Sequence, residues 1–276
     1  MKAIIPAAGY GTRFLPATKV VPKELLPVGA KPAIQWIVEE ALAAGADEVV
    51  IVTSPDKPAL RRHFSVEPVW HERLKNKPEI DAAIAHVEAL SRKIRFVDQV
   101  EQKGLGHAVL QAASLFAGTT EPILILLGDA LVNSPVPCAQ EMVSVARRIA
   151  PDASWVGVER VPRDQVYRYG VVAGTVLPEN DRVLRLSGLV EKPAVEEAPS
   201  DLVIAGRYLL QPAIFTWLQS QKPGTGGEIQ LTDAILRSMA DTPVYAYRYP
   251  GKRHDIGRPE GYLKTLNEWG RGTSEE

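Results

Sequence analysis

Short apolar runs and amphipathic stretches alternate along the first half of the chain. The unbroken apolar runs at residues 2–6, 48–53, 94–97 and 122–128 predict strands, the last buried on both faces as in a parallel sheet. Helical spacing lies between them. One helix opens at Pro32, carries Ile34, Ile37, Val38, Ala41 and Leu42 on one face, and closes at Gly45. Others are predicted at 58–64 and 106–116. The charged stretch 67–90, broken by Pro78, predicts two outer helices or a helical insertion. A helix at 141–149 and a strand at 154–159 follow, and then the pattern changes. Strands at 170–176, 183–190 and 202–208 stand between turn residues, with helices at 212–218 and 229–239, a strand at 244–248 and a closing helix at 259–269. The order predicts an α/β protein with helices flanking a doubly wound sheet and a β-rich subregion in its second half. Without a repeat, a low-complexity tract or a clear linker, a single mixed domain is expected.

Composition narrows the classes. A chain of 276 residues with 45% hydrophobic content suits one large core. Acidic and basic residues nearly cancel, 33 against 32, so no net field draws nucleic acid or an anionic membrane. A lone cysteine, Cys138, allows no internal disulfide and fits a reducing compartment. The start, MKAIIPAAGYG, is too short and glycine-rich for a signal peptide, and the apolar run at 123–127 is far below membrane-spanning length. The expectation is a soluble cytoplasmic protein with no nucleic-acid or membrane partner.

The chemistry gathers first at residues 7–28, AAGYGTRFLPATKVVPKELLPV, directly after the first strand. Phe14 stands where the dinucleotide fingerprint needs its third glycine, and the Walker A spacing is absent. Two readings stay open: a surface loop, or a phosphate cradle in which Gly9 and Gly11 let the backbone approach an anion and Arg13, Lys19 and Lys23 add charge. Asp129 follows the run ILILLG, at the carboxyl end of a predicted central strand, where open α/β sheets bind ligands.

Seven stretches in order carry a resemblance: the loop with its flanks (6–36), QKGLGHAV (102–109), LLGD (126–129), YGVV (169–172), VEKPAVEEAPSDLVIAGRY (190–208), GEIQLTDAI (227–235) and GKRHDIG (251–257). In them the chain resembles the sugar nucleotidylyltransferase family, and specifically its uridylyl-transferring branch. The resemblance implies a Rossmann-like mixed β-sheet flanked by helices, of the nucleotide-diphospho-sugar transferase type. It implies a nucleotide-binding portion about 1–135 and a sugar-binding and C-terminal portion about 136–276. The activity it implies is uridylyl transfer from UTP to α-D-glucose 1-phosphate, giving UDP-glucose and pyrophosphate with Mg²⁺, in a homodimer or homotetramer. Contacts between copies are then expected at the charged insertion or the final helices.

Residue by residue, the resemblance implies that Ala8, Gly9 and Gly11 meet the nucleotide through their backbone, with Arg13 and Lys23 on the departing phosphates. Gln99 reads the uracil edge, with Gly104 as a backbone companion. Gly170, Glu191, Lys192, Val203 and Gly206 form the sugar-phosphate side, Lys192 holding phosphate and Glu191 accepting from sugar hydroxyls. Asp129 is the implied metal ligand and Asp255 a second metal-associated carboxylate. Two positions depart from the family pattern: Asp98 where a basic residue is usual, and Ala130 where relatives carry a second aspartate. Lys19 is expected to face solvent, His107 to play a structural or substrate-positioning part, and Asp233 to be structural. Glu228 is expected to organise the sugar wall or cap a helix, and residues 254–257 read on their own as a tight turn.

Overall fold

A computed structural model describes residues 1–67, 69, 72 and 77–269. Its strands are β1 (Lys2–Pro6), β2 (Pro27–Val28), β3 (Lys31–Pro32), β4 (Glu48–Thr53), β5 (Ile94–Asp98), β6 (Ile123–Leu126), β7 (Ala130–Asn133), β8 (Ser154–Arg160), β9 (Gly170–Leu177), β10 (Asn180–Glu191), β11 (Leu202–Leu210), β12 (Val244–Arg248) and β13 (Lys252–Asp255). Nine of them form one sheet in the order β5-β4-β1-β6-β11-β8-β12-β10-β9. The β5-β4-β1-β6 half is parallel throughout. Beyond it, β11 runs antiparallel to both β6 and β8, and β10 runs antiparallel to β12 and β9.

The unbroken apolar strands are explained by burial on two faces. Ala3, Ile5, Val49, Ile51, Leu124 and Leu126 point into one core, against helices Ala33–Ala43 and Cys138–Ile149. Their neighbours Ile4, Val50, Val52, Ile123 and Ile125 point into the other, against helices Leu105–Gln111, Ile214–Gln219 and Leu231–Ser238. Alternate residues of one strand thus fill opposite layers, and no position in β6 is left for a polar side chain.

This topology places the site. The chain winds from β1 through β4 to β5 on one side, then returns across β1 to β6 on the other. The crevice between the carboxyl ends of β1 and β6 is therefore a topological switch point. The loop after β1 is the glycine loop, and the turn after β6 ends at Asp129. The two ends touch: Gly128 donates its N–H to the Pro6 carbonyl at 3.3 Å. A Cβ on Gly128 would lie 2.8 Å from that oxygen, so only glycine permits the approach.

Helix Pro78–Ser91 matches the expected break at Pro78, while residues 68, 70, 71 and 73–76 of the 67–90 stretch lie outside the described residues. Pro32 is the cap rather than the first residue of helix Ala33–Ala43. The expected helix at 106–116 ends at Gln111 and tightens into a 3₁₀ turn, Ala113–Phe116. Two small ribbons were not expected, β2–β3 and β7–β13. The second corrects the reading of 254–257 as a turn: His254 and Asp255 are strand residues paired with Leu131 and Ala130.

Candidate active site

Ala8 is buried at the floor of the glycine loop and Gly9 is exposed at its lip. Gly11 has φ 65°, a left-handed conformation, and its carbonyl accepts the Thr18 hydroxyl at 2.8 Å. Three 3₁₀ turns, Thr12–Phe14, Ala17–Lys19 and Lys23–Leu25, then fold the loop back. Arg13 and Lys19 are exposed, and Lys23 turns inward.

Lys23 donates to Asp129 Oδ2. Burial alone would lower the Lys23 pKa and raise that of Asp129. That burial is outweighed only by the surroundings taken together: the charges of Asp129, Glu24 and Asp255 and the bond to Asp129 move Lys23 up, and the charges of Lys23 and Arg253 with two hydrogen bonds move Asp129 down. Asp255 reaches the same spot on β13, which is registered against Ala130, and the Ile256 N–H donates to the Asp129 carbonyl at 3.0 Å. Between the two carboxylates lies Gly257. A Cβ there would stand 3.0 Å from Asp129 Oδ2 and 3.1 Å from Asp255 Oδ1. The missing side chain leaves a cradle with two hard oxygen donors, which suits a divalent cation. Among the described residues no cluster of three or more His, Cys, Asp or Glu side chains forms, so the remaining ligands of such a cation would come from phosphate oxygens or water.

Arg207, on β11, holds this corner from behind. Its guanidinium is fully buried, forks Glu40 at 2.8 and 2.6 Å and donates to the Ala130 carbonyl at 2.8 Å. Gly206, one residue earlier, packs against Leu127 and Ala130 with φ 79°.

On the far side of the crevice, Glu191 ends β10 and Lys192 follows at φ 48°, in the left-handed region that a lysine rarely adopts. The Lys192 N–H donates to the Tyr169 carbonyl at 3.0 Å, which ties it to the sugar-side loop. Glu191 Oε2 accepts the buried Thr232 hydroxyl at 2.7 Å, and Glu191 Oε1 lies 3.3 Å from the Lys192 ammonium. Gly170 packs against both Glu191 and Thr232. The Val203 side chain is fully buried beside Val166, Val171 and Ala198, in the layer under this loop. Arg253, two residues before Asp255, bonds Glu159 and lies 4.5 Å from the centre of the Tyr169 ring. A run of contacts thus joins the acidic corner to the Lys192 shelf.

Gln99 is buried, and its amide lies 3.3 Å from the Gly104 carbonyl and 2.9 Å from His107 Nδ1. His107 therefore touches the side chain expected to read the base. The QKGLGHAV and GEIQLTDAI stretches dock on each other: the Ile229 N–H donates to the Lys103 carbonyl and the Gly106 N–H to the Ile229 carbonyl, both at 2.8 Å. Asp98, the departure from the family pattern, accepts from Arg61 at 2.7 Å, which returns a positive charge beside it.

Four residues of the site went unassigned at the level of sequence. Glu24, Thr232 and Arg253 lie inside the matching stretches, so their neighbours could have pointed to them. Lys57 lies outside every one, in a loop with no pattern to mark it.

The glycine loop at the switch point and the convergent carboxylates define a nucleotide-handling α/β enzyme. The chain belongs to the nucleotidyl transferase family, which matches over residues 2–270. It is 46% identical to a UTP–glucose-1-phosphate uridylyltransferase of Staphylococcus haemolyticus, over 97% of this chain and 91% of that protein. Its fold is similar to that of a UDP-glucose pyrophosphorylase solved in complex with UDP-glucose, with a TM-score of 0.87, 38% identity and 98% of each chain covered. A UTP-bound relative from Acinetobacter baumannii gives a TM-score of 0.86 at 35% identity, covering 99% of this chain and 94% of that one.

Proposed function

We infer that this chain transfers the uridylyl group of UTP to α-D-glucose 1-phosphate, releasing UDP-glucose and pyrophosphate. The observation that carries the reading is the joining, at one switch point, of the Lys23–Asp129–Asp255 corner to the Glu191–Lys192 shelf. The names of the relatives identify the two substrates. Ala8, Gly9 and Gly11 are the backbone contacts to the nucleotide, and Gln99 and Gly104 meet the base. Gly170, Glu191, Lys192 and Gly206 serve the sugar phosphate, with Val203 supporting them from the buried layer beneath. One nine-stranded sheet running through both portions supports a single domain, with nucleotide-binding and sugar-binding portions about 1–135 and 136–276.

The reaction needs no protein nucleophile, because the sugar phosphate is already an anion at neutral pH. Its oxygen forms a bond to the α-phosphorus as the bond from that phosphorus to the β-phosphate oxygen breaks, and pyrophosphate departs in line. The chain contributes orientation and fixed charge. Lys192 holds the incoming phosphate, and Arg13 and Lys23 neutralise the leaving one. The paired carboxylates Asp129 and Asp255 would hold Mg²⁺, which when bound supplies charge neutralisation at the transferring phosphoryl group.

The reading also makes the enzyme a cytoplasmic homodimer or homotetramer. The lone Cys138 is buried, with its thiol pKa pushed up by desolvation, which fits a chain with no disulfide. Among the described residues no helix is long and apolar enough to cross a membrane. The deciding experiment is a panel of UTP and dTTP against glucose 1-phosphate and galactose 1-phosphate, with and without Mg²⁺, read by pyrophosphate release. UTP with glucose 1-phosphate should dominate and should need the metal. Faster release with dTTP, or undiminished turnover in chelator, would overturn the assignment.

A further inference from the structure

Beneath the glycine loop lies a charged group that the transfer scheme does not use. Lys57 follows β4 and precedes the short helix Pro58–His63. Its side chain is 7% exposed, and that of Glu24 is 1% exposed. Lys57 Nζ donates to the Ala7 carbonyl at 2.9 Å, to the Gly9 carbonyl, and to the Glu24 carboxylate at 3.0 and 3.1 Å. An ammonium has three protons. Here all three go to acceptors of one loop.

Burying such a pair is unfavourable, and an apolar side chain of similar volume often serves a fold as well. What an apolar side chain cannot do is aim two carbonyls. A trans peptide points its C=O and the following N–H in opposite directions. Drawing the Ala7 and Gly9 carbonyls toward Lys57 turns the N–H groups of Ala8 and Tyr10 away from it. Neither N–H forms a hydrogen bond among the described residues. Two free donors therefore face away from the floor of the loop, and an anion cradle is built from such donors.

We propose that Lys57, braced by Glu24, is a positioning residue for the nucleotide: it aims the Ala8 and Tyr10 N–H groups that receive UTP. This rests on the reading of the loop as the UTP cradle. Lys57 touches no substrate and acts through the backbone. Its removal therefore loosens UTP specifically, while the Glu191–Lys192 shelf keeps its grip on the sugar phosphate.

The test is Lys57→Met, close in length and uncharged, with UTP and glucose 1-phosphate varied separately and UTP binding measured by titration calorimetry. The KM for UTP should rise by about tenfold or more, as expected when a charged hydrogen-bonding group is lost. The KM for glucose 1-phosphate should stay within about twofold, and Lys57→Arg should recover part of the loss. An unchanged UTP KM, or an equal rise for both substrates, would overturn the proposal, since a merely structural role does not separate them. Should Lys57→Met fail to fold, Glu24→Gln carries the same comparison with the same criteria. Arg13→Ala is the control for the underlying reading. If it leaves UTP binding intact, the loop is not the cradle. If it weakens UTP while Lys57→Met does not, only the role of Lys57 falls.

Discussion

Lys23 and Glu24 are neighbours in sequence, yet each joins a different lysine–carboxylate pair. Lys23 meets Asp129 at the mouth of the glycine loop, where the two side chains keep 15% and 30% of their exposure. Glu24 meets Lys57 at the floor, where almost nothing is exposed. At the mouth, burial is outweighed by the partners' attraction together with neighbouring charges and hydrogen bonds, and both are shifted toward their charged forms. At the floor burial wins: Glu24 is pushed up and Lys57 down, although each attracts the other. The same chemical pair thus has two physical characters, set by depth. A pair that prefers its charges and is open to solvent can exchange partners with a phosphate or a cation. A pair sealed beneath the loop can only hold it in shape.

The largest effect that tests this contrast is on turnover. Asp129→Asn removes charge from the mouth and should lower kcat by about 10³-fold, the scale of losing a fixed electrostatic group at a reacting phosphoryl centre. UTP binding and the circular dichroism spectrum should persist. A loss below about tenfold would show that the mouth pair is not part of the chemistry.

The floor should instead speak through stability. Breaking a buried pair at one end strands the other charge and costs about 3 kcal/mol. Lys57→Met and Glu24→Gln should each lower the urea midpoint. The double variant should lose less than the sum of the two, because no lone charge remains. Strict additivity would deny that the two act as a unit.

The smallest effect is the pH dependence of the mouth. Asp129 is depressed below its unfolded value, so its contribution is present above about pH 4 and is lost as pH falls through its folded pKa. Lys23 is raised, so its contribution is present below about pH 10 and is lost as pH rises through its folded pKa. The difference in Tm between the protein and Asp129→Asn should therefore be flat between about pH 5 and 10 and shrink below about pH 4. A difference that grows on acidification would reverse the assigned direction.

Much of the mouth was legible in the sequence, and little of the floor. Asp129 announced itself because a carboxylate directly after ILILLG has nowhere to go but the ligand end of the sheet. The parallel strands were legible because burial on two faces leaves an unbroken apolar run. Ribbon β7–β13 was not, because KRHD has no apolar alternation and gains its order only by pairing across the fold. Lys57 was invisible for a related reason: a single lysine in SPDKP reads as a solvated loop residue, and its four acceptors come from elsewhere in the chain. His107 was assigned a structural or positioning part, and it lies against Gln99, yet that contact depends on a helix meeting the end of β5. Periodicity encodes layers, whereas the bracing beneath a site is a property of the assembled fold.

The acidic corner draws its two carboxylates from opposite halves of the chain, held together by ribbon β7–β13. During synthesis the glycine loop and Asp129 emerge in the first half of the chain. Asp255 emerges only after the antiparallel half has been made. A chain cut before β13 lacks half of the acidic corner, and one cut before helix Ile214–Gln219 also lacks helices that cover one face of the parallel strands. Order of synthesis and order of assembly thus differ at this corner: Asp129 and Asp255 are made far apart, and only the ribbon that pairs β7 with β13 sets them side by side.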